Sequence, residues 1–111
     1  MTIAALGEAL ALGDTLELDR TALLDVLAES AIGATVRGKC ANIESGTYPP
    51  SFKLRLALKD LRLVTETAVE TGRDLPLAVA SRNWLEQADR AGAGDLDFSA
   101  VVATILLAPP A

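Results

Sequence analysis

Apolar residues recur every three to four positions along almost the whole of this 111-residue chain, and strand-like alternation is nearly absent. That periodicity confines the fold to helices packed on helices. Ala and Leu together fill about a third of the positions, and both lose little side-chain freedom in a helix. Aromatic residues make up only 4%, so the core has to be aliphatic. A chain of this size is one domain long and buries roughly two-thirds of its unfolded surface, enough to fold without disulfide or metal staples.

The expected architecture is an all-α compact bundle of about six helices in one domain, residues 1–111. A first helix over Ile3–Leu12 buries Leu6, Ala9 and Leu10 and ends at Gly13. Asp19 is placed to cap a second helix, Arg20–Glu29, with Leu23, Leu24 and Leu27 inward. Thr35 is placed to cap a third, ending near Glu44 and weakened by Gly38. The run Ser45-Gly46-Thr47-Tyr48-Pro49-Pro50-Ser51 reads as a loop. Phe52–Thr71, closed by Gly72, is the longest helix. Asp74 and Pro76 open a fifth, ending near Gly92 and carrying Trp84 inward beside Leu77, Ala80 and Ala88. Asp97 caps a last, nearly all-apolar helix, Phe98–Leu107, stopped by Pro109 and Pro110.

Residue types exclude much chemistry. There is no histidine, and Cys40 is the single cysteine. A Ser-His-Asp triad, a Cys-His pair, a histidine metal site, a thiolate cluster and a disulfide framework are therefore all ruled out. No metal-ligating set is expected. Net charge is −5, against a nucleic-acid partner. Yet Val36–Thr65 carries Arg37, Lys39, Lys53, Arg55, Lys59 and Arg62 against Glu44 and Asp60. A local positive field inside an acidic chain suits a small anionic ligand or a partner's acidic patch. No apolar run reaches the length of a membrane span and the start lacks a signal peptide's basic residues, so a cytoplasmic location is expected.

The fourth helix shows two apolar stripes where a surface helix shows one. At about 100° per residue, Leu54, Ala57, Leu58, Leu61, Val64 and Ala68 share a core face. Phe52, Leu56 and Leu63 lie opposite, with Arg55 and Lys59 at their edge. The second stripe is free to meet another helix of the bundle, a second subunit or a further domain.

Four motifs, in order, carry a family resemblance. Phe52-Lys53-Leu54-Arg55-Leu56-Ala57-Leu58-Lys59-Asp60-Leu61 resembles the F-x-L-x-L-x-x-K-D-L segment of the β-hydroxyacid dehydrogenases of the 3-hydroxyisobutyrate dehydrogenase type. Glu8-Ala9-Leu10-Ala11-Leu12-Gly13 resembles their E-A-x-x-L-G stretch, and Gly72-Arg73-Asp74-Leu75-Pro76-Leu77 their G-x-x-x-P-L helix start. Gly94-Asp95-Leu96-Asp97-Phe98-Ser99-Ala100 is similar to their G-x-x-D-x-S-A turn.

The resemblance implies the helical C-terminal domain of an NAD(P)-dependent oxidoreductase of the 3-hydroxyisobutyrate/6-phosphogluconate dehydrogenase-like group. Such a domain closes the active-site cleft on a small β-hydroxyacid or semialdehyde and pairs as a homodimer. By position, Lys59 matches the lysine that reaches the nicotinamide side of the cofactor, and Phe52 and Asp60 match the substrate end of the cleft. The family's N-terminal Rossmann domain and its catalytic lysine have no counterpart here. No G-x-G-x-x-G follows a strand, and none of Lys39, Lys53 or Lys59 has the surroundings of that lysine. The chain by itself is thus expected to be inactive, with no catalytic residue of its own and no tight hold on NAD or NADP. A non-catalytic helical association module is the alternative reading.

Overall fold

The computed structural model describes residues 1–109, so Pro110 of the expected helix stop lies outside the described residues. Among them are six α-helices and no strands: α1 (Thr2–Thr15), α2 (Arg20–Ala28), α3 (Gly33–Ser45), α4 (Leu54–Glu70), α5 (Pro76–Ala88) and α6 (Val101–Leu107). A single 3₁₀ turn, Phe98–Ala100, leads directly into α6. The all-helical reading therefore holds. Helix α1 lies along α6, α4 along α5, and α2 against α3. The aliphatic core runs through Leu6, Leu10, Leu54, Leu58, Val101 and Val102, all fully buried.

Several helix ends differ from expectation, each for a local reason. Asp19 does cap α2, its Oδ2 accepting the Ala22 amide at 2.9 Å. Gly13 does not end α1. It is buried inside the helix, where a Cβ would collide with Leu23. Thr35 caps nothing, because Ser30 turns the chain earlier. Its hydroxyl accepts the Ile32 amide at 3.2 Å and its carbonyl the Gly33 amide at 2.9 Å, so α3 starts at Gly33. Asp74 makes no cap; the fixed φ of Pro76 opens α5 unaided. Helix α5 stops at Ala88, and a wider turn over Asp89–Ala93 follows, with Gly92 at φ 95°. Gly72, at φ 73°, reverses the chain just after α4, a conformation that costs glycine little.

Helix α4 begins at Leu54 instead of Phe52 because tertiary contacts fix its first turn. The Leu54 amide donates to the Leu96 carbonyl at 2.8 Å and the Arg55 amide to the Gly94 carbonyl at 3.0 Å. Those are donors that a helix start otherwise leaves orphaned. On the core face, Leu54, Leu58, Leu61 and Ala68 are buried as expected, but Val64 is exposed and Thr65 is buried in its stead. The threonine hydroxyl tolerates burial because it donates to the Leu61 carbonyl at 2.8 Å and accepts from Arg82 Nη1 at 2.8 Å. Trp84 is only half-buried. Its indole N–H donates to Glu8 Oε2 at 2.8 Å, while Leu77 and Ala80 face outward. The inner face of α5 is Ala78, Ser81, Leu85 and Ala88.

Candidate functional site

The basic stretch noticed in the sequence folds around the start of α4. Most of its charges are committed. Arg55 pairs with Asp95 at 3.1 Å and Lys53 reaches the same carboxylate at 3.7 Å. Arg62 approaches Glu86 at 3.6 Å, and Glu86 also takes Arg82 at 2.8 Å and Arg90 at 3.4 Å. The hydrogen bond from Arg82 holds the Glu86 carboxyl below its ordinary range, outweighing its partial desolvation. Arg37 donates to the Ala28 carbonyl. Lys39 pairs with Asp97 at 2.9 Å. Among the described residues, Lys59 is the one cation of this stretch with neither a carboxylate partner nor a hydrogen bond within the chain.

A cleft of about 440 Å³ opens between the start of α1, α3, α4, α5, the loop that carries Phe52 and the 3₁₀ turn that carries Phe98. Ile3, Phe52, Leu61, Leu85 and Phe98 are among its apolar lining, and Thr2, Thr35, Lys39 and Asp60 bring polar side chains to it, with Met1 at its rim. This is the usual make-up of a small-molecule site, an apolar wall with a few polar groups that set orientation. Phe52 and Asp60, eight residues apart in sequence, both line this one cavity. Lys59 does not line it. One residue is about 100° around a helix, so Lys59 stands on the neighbouring face. There Leu56 is 42% and Leu63 66% exposed. No helix of the described bundle covers that stripe, which removes the first of the three partners open to it.

The sequence reading passed over Lys39 and treated Asp97 as a helix cap alone. The cap exists, for the Ser99 amide donates to Asp97 Oδ2 at 3.2 Å. The carboxylate is also fully buried and joins three chain segments. Burial pushes its pKa up, but hydrogen bonds from Ser99, Lys39, the Phe52 amide and Ser51 prevail and hold it well below the usual carboxylate range. Lys39 lies 58 positions from Asp97 in sequence, so no local spacing announces the pair.

Comparison with known proteins gives this geometry a context. The profile of the family described as NAD-binding of NADP-dependent 3-hydroxyisobutyrate dehydrogenase matches residues 1–105. The chain belongs to this family. It is 35% identical over 102 residues to glyoxylate/succinic semialdehyde reductase 1 of Arabidopsis thaliana, covering 91% of this chain and 35% of that protein. It is 37% identical over 101 residues to L-threonate dehydrogenase of Cupriavidus necator, covering 90% of this chain and 34% of the relative. The crystal structure of a 3-hydroxyisobutyrate dehydrogenase from Salmonella typhimurium superposes with a TM-score of 0.82 at 32% identity, over 92% of this chain and 36% of that one. The chain therefore spans about a third of the length of these 3-hydroxyisobutyrate dehydrogenase-like relatives. The chain is also similar to a protein without an enzyme's name, human cytokine-like nuclear factor N-PAC, at 30% identity over 100 residues, which cover 89% of this chain and 18% of that protein.

Proposed function

We propose that this chain is the helical domain of an NAD(P)-dependent oxidoreductase acting on a small β-hydroxyacid or semialdehyde, where it closes the substrate cleft against a dinucleotide-binding domain. The observation that carries the reading is the meeting of Phe52 and Asp60 in one apolar cleft, with Lys59 unpartnered on the adjoining face. NAD or NADP, the cofactor of this family, supplies hydride transfer when bound. The residues present fit one end of such a group. An unpaired ammonium beside exposed Leu56 and Leu63 suits a polar and apolar nicotinamide end. The described helices contain no glycine-rich strand-to-helix turn to receive a pyrophosphate, so that part belongs to another domain.

Within this division of labour each side chain has a task. Phe52, with Leu61 in the same apolar lining, excludes water and holds the carbon part of the substrate. Asp60, exposed at the cleft edge, accepts hydrogen bonds from substrate hydroxyls and repels a second carboxylate. The proton on the reacting oxygen is handled by a group of the other domain, because the one lysine side chain lining this cleft is held in an ion pair. Lys39 is committed to Asp97. Leu56 and Leu63 then pack against that other domain or a second subunit, and a homodimer is the assembly we favour.

The test uses the full-length gene product beside the 111-residue chain, with NADH or NADPH and either glyoxylate or succinic semialdehyde as substrate. The full-length protein should turn over at least one pair. The chain alone should give neither turnover nor tight dinucleotide binding by calorimetry. Turnover by the chain alone would overturn the division between domains. A full-length protein that is inert yet associates through the Leu56/Leu63 face would favour the second reading, a non-catalytic association module, to which the N-PAC relative lends weight.

A further inference from the structure

Asp97 is the one fully buried charged residue among those described. A buried charge is costly unless it is paired and hydrogen-bonded, and this one is both. Its Oδ1 accepts the Ser51 amide at 3.0 Å, the Ser51 hydroxyl at 2.9 Å and the Phe52 amide at 3.2 Å. Its Oδ2 accepts the Ser99 amide and hydroxyl and the Lys39 ammonium. The ammonium in turn donates to Ser51 Oγ at 3.1 Å and sits 4.6 Å above the Phe98 ring. Its two hydrogen-bond partners and its aromatic contact thus all belong to the network. Phe98 is tied to the same point, since its amide donates to the Phe52 carbonyl at 2.8 Å. The two rings meet edge to face, 6.4 Å apart and inclined by 71°.

Both aromatic rings of the cleft therefore hang from one ion pair. We propose that Lys39 and Asp97 are positioning residues: the pair locks Phe52 and Phe98 into a single aromatic wall against which the carbon part of the substrate is held. The inference rests on the reading of this cleft as the substrate site. Neither residue acts on the reacting atoms. A pair serving stability alone has little reason to be ionic, because apolar replacements often do as well or better in a core. Here it holds the backbone on both sides of Phe52, in a loop with no regular structure of its own.

The test compares Lys39→Met, Lys39→Arg and Ser51→Ala in the full-length protein. Hydrogen–deuterium exchange read by mass spectrometry, without ligand, follows residues 48–53 against the α4 interior. Lys39→Met should speed exchange in residues 48–53 by about tenfold, the factor carried by one charge-assisted hydrogen bond, and leave α4 unchanged. With glyoxylate and NADPH, its KM for glyoxylate should rise about tenfold with a much smaller change in kcat, as expected for lost ground-state binding. Lys39→Arg should recover most of both effects, since a guanidinium can bond Asp97 and stack over Phe98. Ser51→Ala keeps the ion pair and removes one hydroxyl, so it reports the same pattern at lower amplitude should Lys39→Met fail to fold. Faster exchange spread equally through α4 and α5, or a KM unmoved while the loop loosens, would overturn the inference. A wild-type protein inert toward glyoxylate and succinic semialdehyde would sink the enzymatic reading instead, and the exchange pattern would still decide whether the pair holds the wall.

Discussion

Replacing Lys59 with alanine separates a cofactor contact from a structural one. Lys59 is exposed, makes no ion pair among the described residues and lies off the Leu54/Leu58/Leu61 core face. Its removal therefore sacrifices no packing. Alanine is the better helix former by a small margin, and exposed substitutions of this kind change stability by about 0.5 kcal/mol or less. For a domain of this size that is a melting shift of only about 2–4 °C. The functional loss should be larger. An ammonium donating to a ribose or carboxamide oxygen in a closed cleft forms a charge-assisted hydrogen bond worth roughly 1.5–3 kcal/mol. At about 1.4 kcal/mol per factor of ten, kcat/KM in the full-length enzyme should fall about tenfold to a hundredfold. Because Lys59 stands outside the cleft that Asp60 lines, the loss should appear mainly in the KM for the dinucleotide. Asp60→Asn should move the KM for the acid substrate instead. Lys59→Arg should recover part of the loss, since a planar fork fits poorly where a compact ammonium sits. Steady-state kinetics with both substrates varied, and a thermal melt of the same protein, decide the matter. Unchanged kinetics with a lowered melting temperature would refute the argument and make Lys59 structural.

Three further outcomes follow from the geometry. Asp97 has a depressed folded pKa, so its contribution is complete above its unfolded pKa of about 4 and is lost as the pH falls below that value toward the folded one. Asp97→Asn should therefore be less stable at neutral pH, by about 3–5 kcal/mol for a broken buried pair, and flatter than wild type in urea melts below about pH 4; parallel pH profiles would contradict this. A Cβ on Gly7 would lie 2.6 Å from Ile105 Cδ1, so Gly7→Ala should cost about 1–3 kcal/mol by overpacking. Adding Ile105→Val removes the colliding methyl and should return part of that loss in a double-mutant cycle; strict additivity would show that α1 and α6 do not meet there. Finally, with no other domain to cover it, the exposed Leu56/Leu63 stripe should make the isolated 111-residue chain a homodimer by sedimentation, weakened by Leu63→Glu, and a clean monomer at micromolar concentration would count against that assembly.

The helices were legible because burial on one side imposes a 3.6-residue period whatever lies beyond the domain. What was misread follows from contacts across the chain. The start of α4 is set by carbonyls of residues 94 and 96 and its extended entry by Asp97, none of which the local pattern of Phe52–Leu61 contains. Val64 and Thr65 exchange places because Arg82, on another helix, makes a buried threonine hydroxyl affordable. Gly13 resembles a helix stop by residue type alone, and only the approach of Leu23 shows that it is a packing glycine.

The candidate site divides along the same line. Phe52, Lys59 and Asp60 share one segment, so a motif could mark all three, and helical geometry alone puts Lys59 and Asp60 on different faces. That difference assigns them different neighbours: Asp60 a cleft built within this chain, Lys59 a surface that this chain leaves open. Lys39 and Asp97 could not be marked in this way, because their association depends on the whole bundle bringing α3 to the turn before α6. The domain thus completes its own aromatic wall and its own electrostatic anchor, yet leaves a cation and an apolar stripe uncovered beside them. Under the proposed function, the dinucleotide-binding domain is what would cover that cation and stripe and complete the site.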